Sequence, residues 1–186
     1  NCIKKITAKK SIRKKNDKIV IGFAAPMYWS CKGLGTIEVI YKELIKKKKK
    51  FELHIAGDGP QSNKLKNRLS KISKDKFKWY GWVKDIDSFF KKIDILIIPS
   101  LYDSSPKLLF EAIEKNKIIL ASKIEAHSEI LKYDELLFSK KDINNLIIRI
   151  NKISFSKIYR TNIENKISKI KKKFSFDWDK EFYKLV

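Results

Sequence analysis

The sequence predicts an α/β chain built on a parallel β-sheet. Three observations carry this. Compact apolar runs of strand length recur at 18–25, 51–56, 93–98 and 117–122, rich in Ile, Leu, Val and Phe. Such runs read as strands buried on both faces, as in sheets covered by helices above and below. Between them the apolar residues recur at helical spacing, and strands alternating with helices signal βαβ units. Right-handed crossovers then give a doubly wound, Rossmann-like sheet of about six strands.

Taken in order, residues 1–17 are basic and unpatterned and read as a linker, leaving 18–186 as the domain. With 186 residues and a hydrophobic fraction of 43%, one domain with a good core is expected. The chain opens on Asn1, which suggests a fragment or a processed product. The first strand is Lys18-Ile-Val-Ile-Gly-Phe-Ala-Ala, and a loop runs from there to Gly33. A helix follows over 34–47, with Leu34, Ile37, Ile40, Tyr41, Leu44 and Ile45 on one stripe. The second strand is 51–56, the turn Gly57-Asp58-Gly59-Pro60 comes next, and Leu65, Leu69 and Ile72 mark a helix. Residues 77–80 form a third strand. Asp85 is placed to cap a short helix over 86–91, since its side chain can accept from free first-turn amides. The fourth strand, 93–98, stops at Pro99; a helix starts at Lys107, just after Pro106. A fifth strand at 117–122, a short helix at 128–132, a sixth strand at 136–138 and helices over 143–153, 162–173 and 176–183 complete the chain.

The net charge is +22, which raises nucleic acid as a partner. The lysines are scattered through the chain, however, and Lys greatly outnumbers Arg, as in an AT-rich genome coding its surface with Lys. No recognition-helix, RNA-binding or zinc signature accompanies them, so no nucleic-acid partner is assigned. The densest runs, 46–50 and 171–173, are candidate contacts with an anionic membrane surface. No apolar run approaches the roughly 20 residues that span a bilayer. Cys2 and Cys31 have no metal-ligand spacing and fit a reducing cytoplasm. His54 lies inside a strand and reads as structural.

The chemistry concentrates after the fourth strand, in Pro99-Ser-Leu-Tyr-Asp-Ser-Ser-Pro-Lys-Leu-Leu-Phe-Glu. Asp103 lies on the loop at the carboxyl end of a central strand, and Glu111 lies just over one turn into the following helix. The amides opening that helix suit an anion, and an open parallel sheet binds ligands at this end.

This string, with Ser100, Asp103, Pro106, Leu108-Leu109 and Glu111-Ala112, resembles the E-x7-E motif of GT-B glycosyltransferases, in particular the retaining family GT4, with Asp103 where Glu is usual. The resemblance covers residues 18–185 and matches the C-terminal, donor-binding half of such an enzyme. It implies that Glu111 accepts from ribose hydroxyls of a nucleotide diphosphate sugar and that Asp103 contacts the sugar. The stretch Ser104-Ser105-Pro106-Lys107 would hold phosphates through backbone amides. Lys32-Gly33 resembles the family's Lys-Gly at the end of the first loop, which binds the diphosphate; the family's Arg a few residues earlier is replaced by Pro26 and Met27. Gly57 and Gly59 resemble its Gly-x-Gly turn, and Gly81-Trp82-Val83 resembles the segment whose backbone lies against the nucleobase. Ala126-His127-Ser128-Glu129 aligns with Gly-Gly-x-x-Glu, Glu129 matching directly and His127 falling near the donor.

By the same resemblance no catalytic residue lies in this chain, and the catalytic His and the acceptor groups belong to an N-terminal Rossmann domain. No metal or cofactor is required. Asp85-Ile86-Asp87 and Asp177-Trp178-Asp179 spell D-x-D, but the first reads as a helix cap and the second lies on a terminal amphipathic segment. The implied enzyme transfers a hexose to a glycan or lipid-linked acceptor in bacterial cell-surface polysaccharide synthesis, in the cytoplasm or at the inner face of the membrane. A non-catalytic nucleotide-sugar-binding module is the alternative, with a basic nucleic-acid-binding protein behind it.

Overall fold

The computed structural model describes residues 18–174. One six-stranded parallel sheet has strands β1 (Ile19–Ala24), β2 (Phe51–Ala56), β3 (Phe77–Trp79), β4 (Ile95–Ile98), β5 (Ile118–Ser122) and β6 (Leu137–Phe138), in the order β3-β2-β1-β4-β5-β6. The helices between them are α1 (Leu34–Lys46), α2 (Ser62–Ile72), α3 (Ile86–Lys92), α4 (Lys107–Glu114) and α5 (Glu125–Leu131), with α6 (Ile143–Phe155) and α7 (Lys157–Phe174) after β6. The α/β, doubly wound expectation holds. Strand order reverses between β1 and β4, so the helices that follow these two strands, α1 and α4, cover opposite faces of the sheet, and this switch point is where an open parallel sheet binds ligands.

Burial explains the strands. Every residue of β2, β4 and β5 is buried, as a central parallel strand covered by helices requires. The register is even across the centre, with Ile19 opposite Phe51 and Ala24 opposite Ala56. The α1 stripe of Leu34, Ile37, Ile40, Tyr41 and Leu44 is buried against the sheet. Helix α6 packs on α1, while α7 packs on α4, α5 and α6.

Several boundaries move. Strand β4 begins at Ile95, two residues late, because Asp94 is engaged sideways: its amide donates to the Val20 carbonyl at 2.7 Å and its carboxylate accepts from the Val20 amide at 2.8 Å. Helix α5 begins at Glu125, so His127 is helical and not in a loop. Helix α7 begins at Lys157, where the Ser156 hydroxyl accepts from the Tyr159 amide at 3.2 Å and supplies an N-terminal cap. The sixth strand has two residues, preceded by a 3-10 turn over Asp134–Leu136. Asp85 caps α3 as expected, accepting from the Asp87 amide at 2.9 Å. The linker 1–17, the terminal helix and the second D-x-D lie outside the described residues. Among those residues no helix is long and apolar enough to cross a membrane.

Candidate functional site

Two loops that leave β1 and β4 are fastened together at the carboxyl edge of the sheet. The Leu101 amide donates to the Cys31 carbonyl at 2.7 Å. Gly33 has φ 67 and sits so close to β4 that a Cβ there would lie 1.9 Å from the Pro99 carbonyl oxygen, so only glycine lets the loops meet. Lys32, one residue earlier, donates from Nζ to Asp103 Oδ2 at 3.1 Å. The Ser100 hydroxyl faces the same oxygen at 3.4 Å. The side chains of Lys32 and Asp103 are 24% and 10% exposed, so the pair is sheltered but reachable.

The opposite wall comes from the loops after β2 and β3. Gly57 has φ 121, and a Cβ there would lie 1.9 Å from the Ala25 carbonyl oxygen. Its amide donates to the Gly81 carbonyl at 2.6 Å, which stacks three successive loops at one edge. Asp58, between the two glycines, accepts from the Gly59 amide at 2.8 Å and the Ser62 hydroxyl at 2.7 Å. Those bonds hold its carboxyl below the ordinary value, the Ser62 contact first, and tie it to the start of α2. Beyond Gly81 come Trp82, 70% exposed, and Val83.

The third wall is α4. Pro106 precedes its first turn, and Glu111 projects one turn further on, with Lys107 Nζ 3.9 Å from its Oε1. Together these walls enclose a cleft of about 430 Å³ lined by Lys32, Gly57, Trp82, Val83, Asp103, Ser105, Pro106, Lys107 and Glu111, over a floor of Phe23, Ile98 and Pro99. The two acids that lie on different elements therefore face one space. Lys32, Lys84 and Lys107 ring it, so an anion with hydroxyls nearby is matched by ammonium groups and by carboxylates that accept from hydroxyls.

Not every sequence candidate lies on this wall. Gly33 and Gly59 do backbone work behind it, the latter close against Met27. Ser104 is exposed outside it. The Lys107 amide donates to the Ser105 carbonyl at 2.7 Å, so it is already engaged, unlike the expectation for a phosphate-binding amide. His127 is fully buried, with Nδ1 3.0 Å from the Ser122 carbonyl, which can only accept. Nδ1 therefore carries the proton, and burial pushes the pKa of the ring down, keeping it neutral. The Ser122 hydroxyl donates in turn to the Ser100 carbonyl at 2.5 Å, so His127 sits beneath the acid loop instead of on the cleft. Glu129 is exposed and lines a separate groove with Lys169, Lys173 and Phe174. Conversely, Lys84 lines the cleft and was not singled out in the sequence, where nothing distinguishes it from the many other lysines. Among the described residues no group of three His, Cys, Asp or Glu is arranged to hold a metal ion.

A sequence model of the family described as Glycosyl transferases group 1 matches residues 18–154. The chain belongs to this family. Solved structures agree with the assignment at the level of fold. The catalytic domain of cholesterol-α-glucosyltransferase from Helicobacter pylori superimposes with a TM-score of 0.70 at 16% identity, over 84% of this chain and 99% of that one. A mutant of S. aureus TarM, in complex with UDP, gives 0.73 at 15% identity, over 87% and 34%. Anabaena HepE in complex with UDP and glucose gives 0.73 at 15% identity, over 84% and 44%. This group 1 glycosyltransferase domain thus spans less than half of TarM and HepE and nearly all of the Helicobacter domain. No curated protein gives a match. The fold is that of a GT-B glycosyltransferase domain, as the sequence resemblance implied.

Proposed function

We propose that this group 1 glycosyltransferase domain binds the nucleotide diphosphate sugar donor, as half of a retaining enzyme that passes a hexose to a glycan or lipid-linked acceptor. The observation that carries the proposal is that Asp103 and Glu111, from a loop and a helix, face one cleft together with Lys32. Glu111, within the first turns of α4, accepts from the two ribose hydroxyls, because a carboxylate suits a vicinal diol. The nucleobase lies along Gly81-Trp82-Val83. The diphosphate sits between Lys32 and the start of α4, where an ammonium and a helix N-terminus both favour negative charge. Lys84 supplies a further cation on the wall, which offsets the absence of an Arg before Lys32. Asp103 accepts from a sugar hydroxyl once the ligand draws Lys32 towards phosphate.

In the transfer step the bond from the sugar to diphosphate breaks, and charge grows on the leaving oxygen. In this reading Lys32 and the positive end of the α4 dipole stabilise that charge, and no metal is called upon. The acceptor and the second half of the cleft come from an N-terminal domain, so this chain alone binds donor and transfers nothing. UDP is the first ligand to test, since it occupies the related HepE structure. The Lys32–Asp103 pair and the missing Arg also favour a second reading, a binding module without turnover. Calorimetric titration with UDP and UDP-glucose tests the first reading. Glu111→Ala should weaken UDP about tenfold to a hundredfold, the worth of a charged hydrogen bond. An unchanged affinity would remove Glu111 from the site. Turnover by the full-length enzyme separates the first reading from the second.

A further inference from the structure

The edge of the sheet opposite the cleft combines two features that the donor site does not use. The strands are parallel, so the first residues of β1 and β2, Ile19 and Phe51, mark that edge. Around them a hollow of about 190 Å³ is lined by Lys48, Lys49, Lys50 and Phe155. Lys46, Lys47, Lys48 and Lys50 are exposed there, and Lys47 Nζ donates to Asn144 Oδ1 at 2.7 Å, tying the run to α6. Among the described residues Lys46, Lys48 and Lys49 take part in no ion pair. Phe155, which lines this hollow, is 56% exposed at the end of α6, and Ile158, in the first turn of the next helix α7, is 86% exposed.

We propose that this edge docks on an anionic lipid bilayer, with the lysines on the headgroups and Phe155 and Ile158 inserted between them. The charge favours any polyanion, but the apolar pair selects among them. A branched aliphatic side chain such as Ile158 gives nothing to a phosphate backbone and cannot stack on a base, whereas it gains by entering the acyl boundary of a membrane. In this orientation the cleft faces away from the bilayer, so donor entry stays open. The docking is independent of the donor reading, and titration with UDP reports on that reading separately.

The test uses the 186-residue chain and sedimentation with vesicles of phosphatidylcholine containing about one phosphatidylglycerol in three. Binding should rise with the anionic lipid and fall with salt, because exposed charges are screened over about 8 Å at physiological ionic strength. Lys46→Glu with Lys48→Glu should lower the partition coefficient at least tenfold, each lysine near an anionic surface being worth a factor of about five. Phe155→Ser with Ile158→Ser, both at exposed positions, should remove the binding that persists at raised salt while the thermal melt stays unchanged. Lys140→Glu with Lys141→Glu makes the same charge change near the other edge, and an equal loss there would overturn the proposal by reducing it to net charge. So would vesicle binding that is absent while the chain retains poly(U) through the same lysines.

Discussion

Lys32 and Asp103 lie 71 residues apart in the chain and meet at 3.1 Å, Nζ to Oδ2, where the loops leaving β1 and β4 are fastened together. The family resemblance implies separate tasks for these residues, a cation for phosphate and an acid for sugar. In the proposed function their contact couples the two tasks: a diphosphate that draws Lys32 from Asp103 would free the carboxylate to accept a hydroxyl.

Asp103→Ala should therefore leave UDP affinity unchanged or slightly tighter, because Lys32 is released. The same variant should weaken UDP-glucose by roughly tenfold or more, since an acceptor for the sugar is lost. Lys32→Ala should weaken both ligands. Calorimetry with each variant and the double variant measures the coupling, and an Asp103→Ala loss for UDP as large as that of Glu111→Ala would show the roles to be misassigned.

Gly33 and Gly81 share φ 67, but only Gly33 has a neighbour where a Cβ would stand; around Gly81 nothing lies within 4 Å. Gly81→Ala should cost only the left-handed backbone, about 1 kcal/mol. Gly33→Ala adds a clash with the Pro99 carbonyl and should cost at least about 2 kcal/mol more. Urea unfolding of the two variants gives the comparison, and equal losses would mean that the loops do not meet as described.

A second polar cluster sets the acid stability. Burial by itself would raise the Glu52 carboxyl, but contacts from Lys18, Lys78 and His54 outweigh it and lower the pKa to about 2. A depressed carboxyl stabilises the fold above its unfolded value of 4.5, and this is lost as pH falls through about 2. Glu52→Gln should be less stable at neutral pH and show a flatter stability profile between those values. Parallel profiles for the variant and the parent chain would contradict the network.

Much of the fold was legible because burial writes itself into sequence. The runs 51–56 and 117–122 are strands with nearly the bounds that their apolar residues suggest. Boundaries set by single polar contacts were not, as with Asp94 turning to Val20 and Ser156 capping α7. In the site, the acids after β4 stood out because a Pro, a small-polar loop and a helix frame them. His127 did not: a lone histidine near a ligand edge looks the same whether it faces the ligand or, as here, the Ser122 carbonyl beneath it. Lys84 was hidden by composition, since a chain with 43 Lys and Arg residues gives no single lysine a distinguishing signal.

The central claim is that a nucleotide sugar enters the cleft beside Asp103 and Glu111. Amide NMR of the labelled chain during titration with UDP-glucose tests it most directly. The account predicts shifts confined to the loops after β1, β2 and β3 and to the stretch 100–111, with the Trp82 indole moving and the 46–50 run still. Shifts concentrated on that lysine run, or no shifts at millimolar ligand, would contradict it.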